Sequence, residues 1–541
     1  MRLIAHLPLM VILAALGALA MLIPAAYAQV LGELKLARIF TMSAGISAVL
    51  IAVTALAGAA RPAGDSTRAV LLTLFGTVTL LPAMLAVPLW AALPDTGILN
   101  AWWEMVSSLT TTGASLYDPD RLPLPLHLWR GLVGWLGGLF MLCAAIAIMA
   151  PLRIGGFEIM SSPYGRRENY DTLPESGDTH NTVPHLSSPA FQTELIDPVN
   201  RMLRAGRAVL PLYLGVTLAL WMVLLMLGDP SLLALMRAMG TVSTSGISPV
   251  STATGHVSGI AGEIVIFVFM IPALSRRFWP GGGELVASET WRDDPELRMA
   301  GAVVLAVTAA LFLRHFISAV EVSEGPGAAP MLEGLADALS AAWGGMFNAL
   351  SFLTTTGWNS IEWQGARRWS GFTSPGLLLA GLAIMGGGVA TAAGGVKLLR
   401  VYALGAHAQR EMEKLTHPSS IAGGGRMARR LRAEGAFLAF VFFMLFAISI
   451  AVVIALVSLQ RIEFESATIL SISALTNTGQ LAGVIPLTPT FEGSAGLAGA
   501  PWDGWAGLPV FTKIVMAGAM IVGRVETLAL LALFNPELWR R

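Results

Sequence analysis

Long apolar stretches dominate this chain, and short polar segments separate them. Seven of the stretches contain no Asp, Glu, Lys or Arg, and each exceeds the roughly 18 residues typical of a membrane-spanning helix. They cover residues 7–31, 39–60, 69–94, 131–152, 208–228, 369–396 and 435–460. The pattern predicts an all-α polytopic membrane protein.

Composition agrees with this class and narrows the chemistry. Charged residues make up 13% of the chain, about half of the roughly 25% that is usual in soluble domains. The net charge is zero, so nothing favours a nucleic-acid partner. Cys143 is the only cysteine, and the eight histidines show no paired spacing. We therefore expect neither a disulfide framework nor a resident metal site.

Two interpretations fit the first 28 residues. An early arginine, an apolar core and a closing Ala-Tyr-Ala are typical of a cleavable signal peptide. However, the apolar core is longer than the roughly 7–15 residues found in such peptides. We interpret it as the first of two leading transmembrane helices, which together occupy residues 1–66.

A short polar motif occurs four times and indicates an internal repeat. Its copies are LTTTGA, VSTSGI, LTTTGW and LTNTGQ, with glycines at 113, 246, 357 and 479. Each copy has an apolar residue, three small polar residues and then glycine. We divide the chain accordingly into repeat 1 with a cytoplasmic loop (67–206), repeat 2 (207–297), repeat 3 with a glycine-rich gate loop (298–429) and repeat 4 (430–541).

The segments before the four glycines are apolar but mostly too short to cross a membrane. They cover residues 98–109, 231–242, 335–353 and 465–475. Runs of this length suggest re-entrant half-helices, whose non-helical ends are tolerated at membrane depth only where they line a cavity. We therefore expect four helix–pore-hairpin–helix repeats around a pseudo-fourfold pore, preceded by the two extra transmembrane helices.

The basic residues predict the orientation. With the N-terminus in the cytoplasm, 23 of the 34 Lys and Arg residues fall on cytoplasmic segments and ten on outer segments. This distribution follows the positive-inside rule. We expect a multi-pass protein of the cell inner membrane, with both termini in the cytoplasm and the four motifs open to the outside.

The four motifs offer oxygen ligands and no catalytic pair. Backbone carbonyls and threonine hydroxyls can replace the hydration shell of a cation, and glycine allows torsions that aim successive carbonyls at one axis. The preceding half-helices would also direct their negative ends at the cavity. The alternative is that the threonines and glycines only cap four short helices, which leaves four copies in register unexplained.

Four further segments carry a family resemblance. They are WLGGLFMLCAAIAIMAPLRIGGFEI (135–159), GGGVATAAGGVKLLR (386–400), HPSSI (417–421) and GRVETLALLALFNPELWRR (523–541). Together with the motifs, they resemble the Trk/Ktr/HKT superfamily of potassium transporters, and within it the bacterial TrkH/TrkG branch. The likeness covers nearly the whole chain.

The resemblance implies K⁺ as the transported ion, no covalently bound cofactor, a homodimer and a cytoplasmic, TrkA-like nucleotide-binding regulatory ring. It also implies a K⁺-binding selectivity filter. The filter positions are Thr111, Thr112, Gly113, Ser245, Gly246, Thr355, Thr356, Gly357, Asn477, Thr478 and Gly479. The second and fourth motifs depart from the usual family pattern, which affects the fine selectivity. Some relatives that favour Na⁺ carry serine at the position of Gly113, so its glycine favours K⁺.

The glycine-rich segment after the third motif predicts a break in a membrane helix, because each glycine costs about 1 kcal/mol there. We interpret it as a gate beneath the filter; close helix packing is the alternative. Arg524 is expected to project below the filter as a positive barrier and an anchor for the gate, or else to form a structural ion pair. The gate residues are Gly386, Gly387, Gly388, Thr391, Gly394, Gly395 and Arg524.

Two smaller features receive structural interpretations. Glu104 lies in the first half-helix, and we expect it to make a buried hydrogen bond instead of attracting cations at a pore mouth. Six tryptophans near the outer boundaries are expected to form an interfacial belt. They are Trp102, Trp103, Trp129, Trp358, Trp363 and Trp369.

The predicted function is therefore K⁺ uptake, either channel-like or coupled to another ion as in symport. A Na⁺-permeable or Na⁺/K⁺-cotransporting relative is the alternative. A membrane enzyme such as a lipid transferase would need clustered Asp, His or Arg at a membrane face, and the sequence has no such cluster. A scaffold would not need four matched polar motifs. We do not expect an enzyme.

Overall fold

The computed structural model describes residues 9–59, 67–150, 155–157, 198–250, 257–280, 294–322, 331–370, 376–417, 433–485 and 505–526. Within these ranges the regular elements are all helical. Seven helices there are long and apolar enough to cross a membrane: Leu9–Val30, Leu34–Ala57, Leu71–Ala92, Leu124–Met149, Val199–Met226, Pro295–Arg314 and Gly435–Ser458. The predicted all-α membrane class is confirmed.

The helices are grouped here by the predicted repeats in which they lie. The leading helices are Leu9–Ala20, Leu22–Val30 and Leu34–Ala59. Repeat 1 contains Thr67–Thr79, Leu81–Leu85, Val87–Ala92, Gly97–Leu109 and Leu124–Ala144, which continues as the π-helical turn Ala145–Met149. Repeat 2 contains Pro198–Met226, Ser231–Val242 and Gly259–Met270.

The second half of the chain is built in the same way. Repeat 3 contains Pro295–Val322, Met331–Leu353, Trp363–Ser370, Gly376–Met385 and Leu398–Thr416. Repeat 4 contains Ala433–Ser458, Phe464–Leu475, Leu481–Val484 and Val510–Val525. Helix Phe464–Leu475 packs against Val510–Val525, which in turn contacts Gly97–Leu109 of repeat 1. The last repeat therefore lies beside the first.

We call the helix before each polar motif its pre-turn helix. Three pre-turn helices are short, with 12 or 13 residues: Gly97–Leu109, Ser231–Val242 and Phe464–Leu475. The pre-turn helix of repeat 3, Met331–Leu353, has 23 residues and begins four residues before the predicted segment 335–353, which was already the longest of the four. Glu333 and Asp337 interrupt its apolar pattern without interrupting the helix.

Two membrane segments also differ from the charge-free runs. The described part of the run 369–396 contains the ten-residue helix Gly376–Met385, which ends where the glycines begin at Gly386. The span Pro295–Arg314 is not one of the seven charge-free runs, because Arg298 and Arg314 leave only a short charge-free stretch between them. A terminal arginine can reach the interface with its long side chain, so such charges are compatible with a span.

Glycines in the family-like segments bring helices close to the ends of the pre-turn helices. A Cβ atom on Gly137 would lie well inside van der Waals contact of the Leu109 carbonyl, and one on Gly523 would meet the Leu475 carbonyl in the same way. The helix that follows each of these two motifs can therefore press directly against the backbone that carries the motif.

The prediction of an interfacial belt was wrong for four of the six tryptophans. These side chains are buried: Trp103, Trp129, Trp358 and Trp363. The indole nitrogen of Trp358 donates a 3.0 Å hydrogen bond to the Thr241 hydroxyl of the second pre-turn helix. A buried indole needs such a partner, so Trp358 links the third motif to the second repeat.

Candidate functional site

The four polar motifs form four turns whose middle residues share one backbone conformation. We call them turn 1 (110–113), turn 2 (243–246), turn 3 (354–357) and turn 4 (476–479). The middle polar residue of each turn is left-handed, a conformation that side chains other than glycine rarely adopt. These residues are Thr111, Thr244, Thr355 and Asn477, with φ of 56°, 56°, 57° and 54°. Four identical exceptions at matching positions identify one repeated structural element.

The hydrogen bonds of the turns repeat as well. In each turn the backbone N–H of the third polar residue donates to a carbonyl in the last turn of its pre-turn helix. These donors are Thr112, Ser245, Thr356 and Thr478, each at 2.9 Å from its acceptor. Because these backbone donors are directed back to the helices, the turns have mainly oxygen left to present to a ligand.

The hydroxyl groups in each turn are also paired. The first polar residue lies within hydrogen-bond distance of the third: Thr110–Thr112 at 2.8 Å, Ser243–Ser245 at 2.9 Å, Thr354–Thr356 at 2.9 Å and Thr476–Thr478 at 3.2 Å. The hydroxyl of the first residue thus orients the hydroxyl of the third. The first residues were not among the predicted filter residues. Their signal was present, since a small hydroxyl residue opens all four motifs.

The turns meet in a ring, as the space around their glycines shows, and Gly357 of turn 3 is bordered by Gln480, the residue directly after turn 4. A Cβ atom on Gly113 would collide with the Ser245 carbonyl of turn 2, and one on Gly246 would collide with the Thr356 carbonyl of turn 3. A Cβ atom on Gly479 of turn 4 would collide in the same way with Ala114, the residue directly after turn 1. The glycines are therefore required by the close approach of neighbouring turns.

Turn 4 departs from the other three. Gly113, Gly246 and Gly357 have φ of 73°, 57° and 79°, whereas Gly479 does not adopt a positive φ. Its N–H donates instead to the Thr112 carbonyl at 2.7 Å. The Asn477 amide donates to the Thr112 hydroxyl at 3.0 Å. Turn 4 thus supplies donors to turn 1, which the sequence motif did not reveal.

The residue after Gly479 enters the ring. The Gln480 side-chain nitrogen donates to the Gly113 carbonyl at 3.2 Å and to the Gly246 carbonyl at 2.7 Å. The other three turns are followed by Ala114, Ile247 and Trp358. Gln480 was not among the predicted filter residues, although a polar residue at a position that is apolar in the other three motifs was a usable signal.

A non-helical segment, residues 386–397, lies against turns 2 and 3; we call it the glycine loop. The Thr244 hydroxyl donates to the Ala392 carbonyl at 2.9 Å, and the Gly394 N–H donates to the Thr355 hydroxyl at 2.7 Å. These two left-handed residues therefore hold the loop. Thr244 was not among the predicted filter residues.

The other predicted loop residues are held at the loop's edges. Gly386 and Gly395 have φ of 73° and 75° and pack against each other. The Gly388 N–H donates to the Ala273 carbonyl at 3.0 Å, and Thr391 bonds back to the Gly388 carbonyl. Gly387 also lacks space for a Cβ atom, because Ala273 and Ala393 surround it. The segment is thus held by packing and hydrogen bonds along its length.

Arg524 lies on the same loop from the other side. Its side chain is 4% exposed, and Nη1 donates to the Ala392 carbonyl at 2.7 Å. Glu526 does not bond to it; this carboxylate pairs with Arg400 at 2.8 Å. A small cavity of about 30 Å³ adjoins Arg524, Lys397 and the loop, which is room for about one water molecule.

Glu104 has the structural role that was expected. It is fully buried, forms a 2.6 Å ion pair with Arg130 and accepts a 2.9 Å hydrogen bond from the Leu116 N–H. The bond to Leu116 fixes the segment that leaves turn 1. Among the residues that the structure describes, no group of three or more His, Cys, Asp or Glu could hold a metal ion.

Comparison with known proteins agrees with this architecture. A family model described as TrkH, a cation transport protein, matches residues 303–541. The chain is 25% identical over 478 residues to the Trk system potassium uptake protein TrkH of Salmonella typhimurium, which covers 86% of this chain and 84% of that protein. It is 26% identical to the Trk system potassium uptake protein TrkI of Halomonas elongata, with 84% and 81% covered.

A solved structure has the same fold. The crystal structure of the potassium transporter TrkH from Vibrio parahaemolyticus matches with a TM-score of 0.73 and 21% identity over the full length of both chains. The resemblance to the Trk branch that the sequence predicted is thus found again as similarity to Trk proteins over most of the chain. The Trk-like segment 386–400 contains the glycine loop described above, whereas residues 151–154, 158–159, 418–421 and 527–541 of the other three Trk-like segments lie outside the described residues.

Proposed function

We propose that this chain is the membrane subunit of a Trk-type potassium uptake system and that K⁺ passes through the ring of turns 1 to 4. The observation that carries the proposal is the fourfold repetition of one oxygen-presenting turn, closed into a ring by glycines that leave no space for side chains. Carbonyl and hydroxyl oxygens of this kind replace the hydration shell of K⁺.

The glycine loop would then act as the gate. It bonds to Thr244 and Thr355 of the ring, so a cation that leaves the ring inward must displace it. Arg524 would hold the closed loop through Ala392 and oppose the cation by its charge. Opening requires at least the bonds to Thr244, Thr355 and Arg524 to be exchanged for water or for other partners.

The wider assembly follows from the same proposal. The chain would lie in the cell inner membrane with both termini in the cytoplasm, in agreement with the distribution of Lys and Arg. It would form a homodimer and bind a TrkA-like nucleotide-binding ring on the cytoplasmic side. The relatives in Salmonella and Halomonas, both named as Trk system potassium uptake proteins, support a multicomponent system.

Growth at low K⁺ tests this function. The chain is expressed in a bacterium that lacks its own K⁺ uptake systems, with and without a regulatory subunit, and growth is measured over a range of K⁺ concentrations. We expect rescue at low K⁺ by the parent chain. A folded, membrane-inserted chain that does not rescue growth under either condition would contradict the proposal.

One specific observation favours the alternative of a Na⁺-permeable relative. Turn 4 donates its Gly479 N–H to the Thr112 carbonyl, which removes an oxygen from the ring, and fewer ligands suit K⁺ less well. Uptake of Na⁺ by the same cells distinguishes the two ions. Equal uptake of Na⁺ and K⁺ would favour the alternative.

A further inference from the structure

Gln480 occupies a position that no other turn provides. It directly follows Gly479 and begins the short helix Leu481–Val484, and its side chain is half-buried inside the ring instead of pointing away from it. The amide nitrogen donates to carbonyls of two different turns, those of Gly113 and Gly246. Two carbonyls that converge on one donor are also a binding position for a cation.

The third turn also borders this amide. A Cβ atom on Gly357 would lie 2.9 Å from the Gln480 Cβ and 3.0 Å from Oε1. The amide is therefore surrounded by the glycines of turns 1, 2 and 3. A cation could not occupy the point between the Gly113 and Gly246 carbonyls while the side-chain NH₂ group is there, because both need the same lone pairs.

The amide is well placed but incompletely satisfied. Its Oε1 is buried and has no hydrogen-bond partner among the described residues. The free-energy cost of a buried acceptor without a partner offsets much of the stabilisation that the two donated hydrogen bonds contribute. The side chain is therefore held weakly enough for a competing cation to displace it, and outward rotation would give Oε1 access to water.

We propose that the Gln480 amide is a tethered competitor of the permeating cation at the Gly113 and Gly246 carbonyls of the ring, and that it raises the K⁺ concentration needed for half-maximal uptake. This inference rests on the proposed function and adds a residue that sets apparent affinity. The NH₂ group mimics a cation at the two carbonyls, and K⁺ enters when the side chain turns outward.

Two substitutions distinguish the effect of the hydrogen-bond donor from the effect of the side-chain volume. Gln480→Ala removes both, while Gln480→Met keeps a side chain of similar length without a hydrogen-bond donor. We expect both variants to lower the K⁺ concentration for half-maximal uptake by roughly fivefold, the factor that one net hydrogen bond represents. Gln364→Ala, at an exposed position, is the matched control and should leave it unchanged.

Uptake of radioactive Rb⁺ into cells is measured against external K⁺, with the amount of folded protein checked by size-exclusion chromatography in detergent. Unchanged half-maximal concentrations in both variants, with a conducting parent, would overturn the inference. A shift in the alanine variant alone would also overturn it, because volume and not the donor would then be responsible.

A binding measurement keeps the inference separate from the proposed function. The thermal stability of purified parent and variants in detergent is titrated with K⁺, since a cation that binds the folded state stabilises it by an amount that grows with the ratio of its concentration to its Kd. If the parent carries no flux, the proposed function fails, but Gln480→Ala and Gln480→Met should still respond at lower K⁺ than the parent. An identical response of all three would refute competition at this position.

Discussion

Neutralising Arg524 tests how strongly its charge opposes a cation. Two hydrogen bonds in series, of 2.7 and 2.9 Å, link the Arg524 Nη1 to the Thr244 hydroxyl through the Ala392 carbonyl. A cation at the inner end of the ring would therefore lie about 7 Å from the guanidinium. At an effective dielectric constant of about 20, two unit charges at that distance repel by about 2.4 kcal/mol.

This repulsion corresponds to a factor of about 50 in rate. We expect Arg524→Gln, which keeps an amide donor for the loop, to raise Rb⁺ flux into proteoliposomes by up to that factor. Arg524→Lys keeps the charge and should stay near the parent rate. Arg204→Gln, at an exposed position, is the control for removing an arginine elsewhere.

The two ways in which Arg524 can act give different results. If the charge is the barrier, flux follows the charge, and the Gln and Lys variants diverge. If the arginine only anchors the loop, both variants change flux in the same direction. Equal flux in a well-folded Gln variant and the parent would refute the electrostatic reasoning.

Three further predictions concern the ring, the loop and the buried ion pair. Gly113→Ser should weaken discrimination between K⁺ and Na⁺, measured as a reversal potential under bi-ionic conditions, because a Cβ atom there collides with the carbonyl of turn 2; an unchanged ratio would remove Gly113 from the filter. Shortening the segment Gly386–Gly395 should raise Rb⁺ flux, and Thr244→Val should raise it to a smaller extent because it removes one hydrogen bond to the glycine loop. Reduced flux with intact folding would mean that the loop supports the pore. Glu104→Gln should lower the free energy of unfolding by about 3–5 kcal/mol, because it leaves Arg130 buried without its charged partner. In thermal unfolding experiments, the additional change Arg130→Met should restore much of this loss. No loss in the single variant would contradict a structural ion pair.

The sequence was sufficient to predict the class, the four motifs and the broken helix. Apolar length predicts membrane helices directly, and glycines in a helix predict a break wherever they cluster. The glycine run at Gly386 therefore predicted both the existence and the position of the loop. The start of the third pre-turn helix was harder to place, because Glu333 lies just before the predicted start at residue 335 and resembles a boundary when only hydropathy is considered.

The contacts between repeats could not be predicted from the motifs alone. Gln480 bonds to carbonyls of turns 1 and 2, which lie more than 230 residues away along the chain. The direction of a side chain depends on how the repeats pack, and a motif does not carry that information. Trp358 illustrates the same limit, since hydropathy placed it at the interface and packing buries it against Thr241.

The most direct test of the central claim is competition for Rb⁺ uptake by the purified chain in proteoliposomes. If the ring of turns selects K⁺, unlabelled K⁺ should suppress uptake of radioactive Rb⁺, while Na⁺ at the same concentration should leave it nearly unchanged. Suppression by Na⁺ as strong as that by K⁺, or no uptake above empty liposomes by a folded protein, would contradict the account.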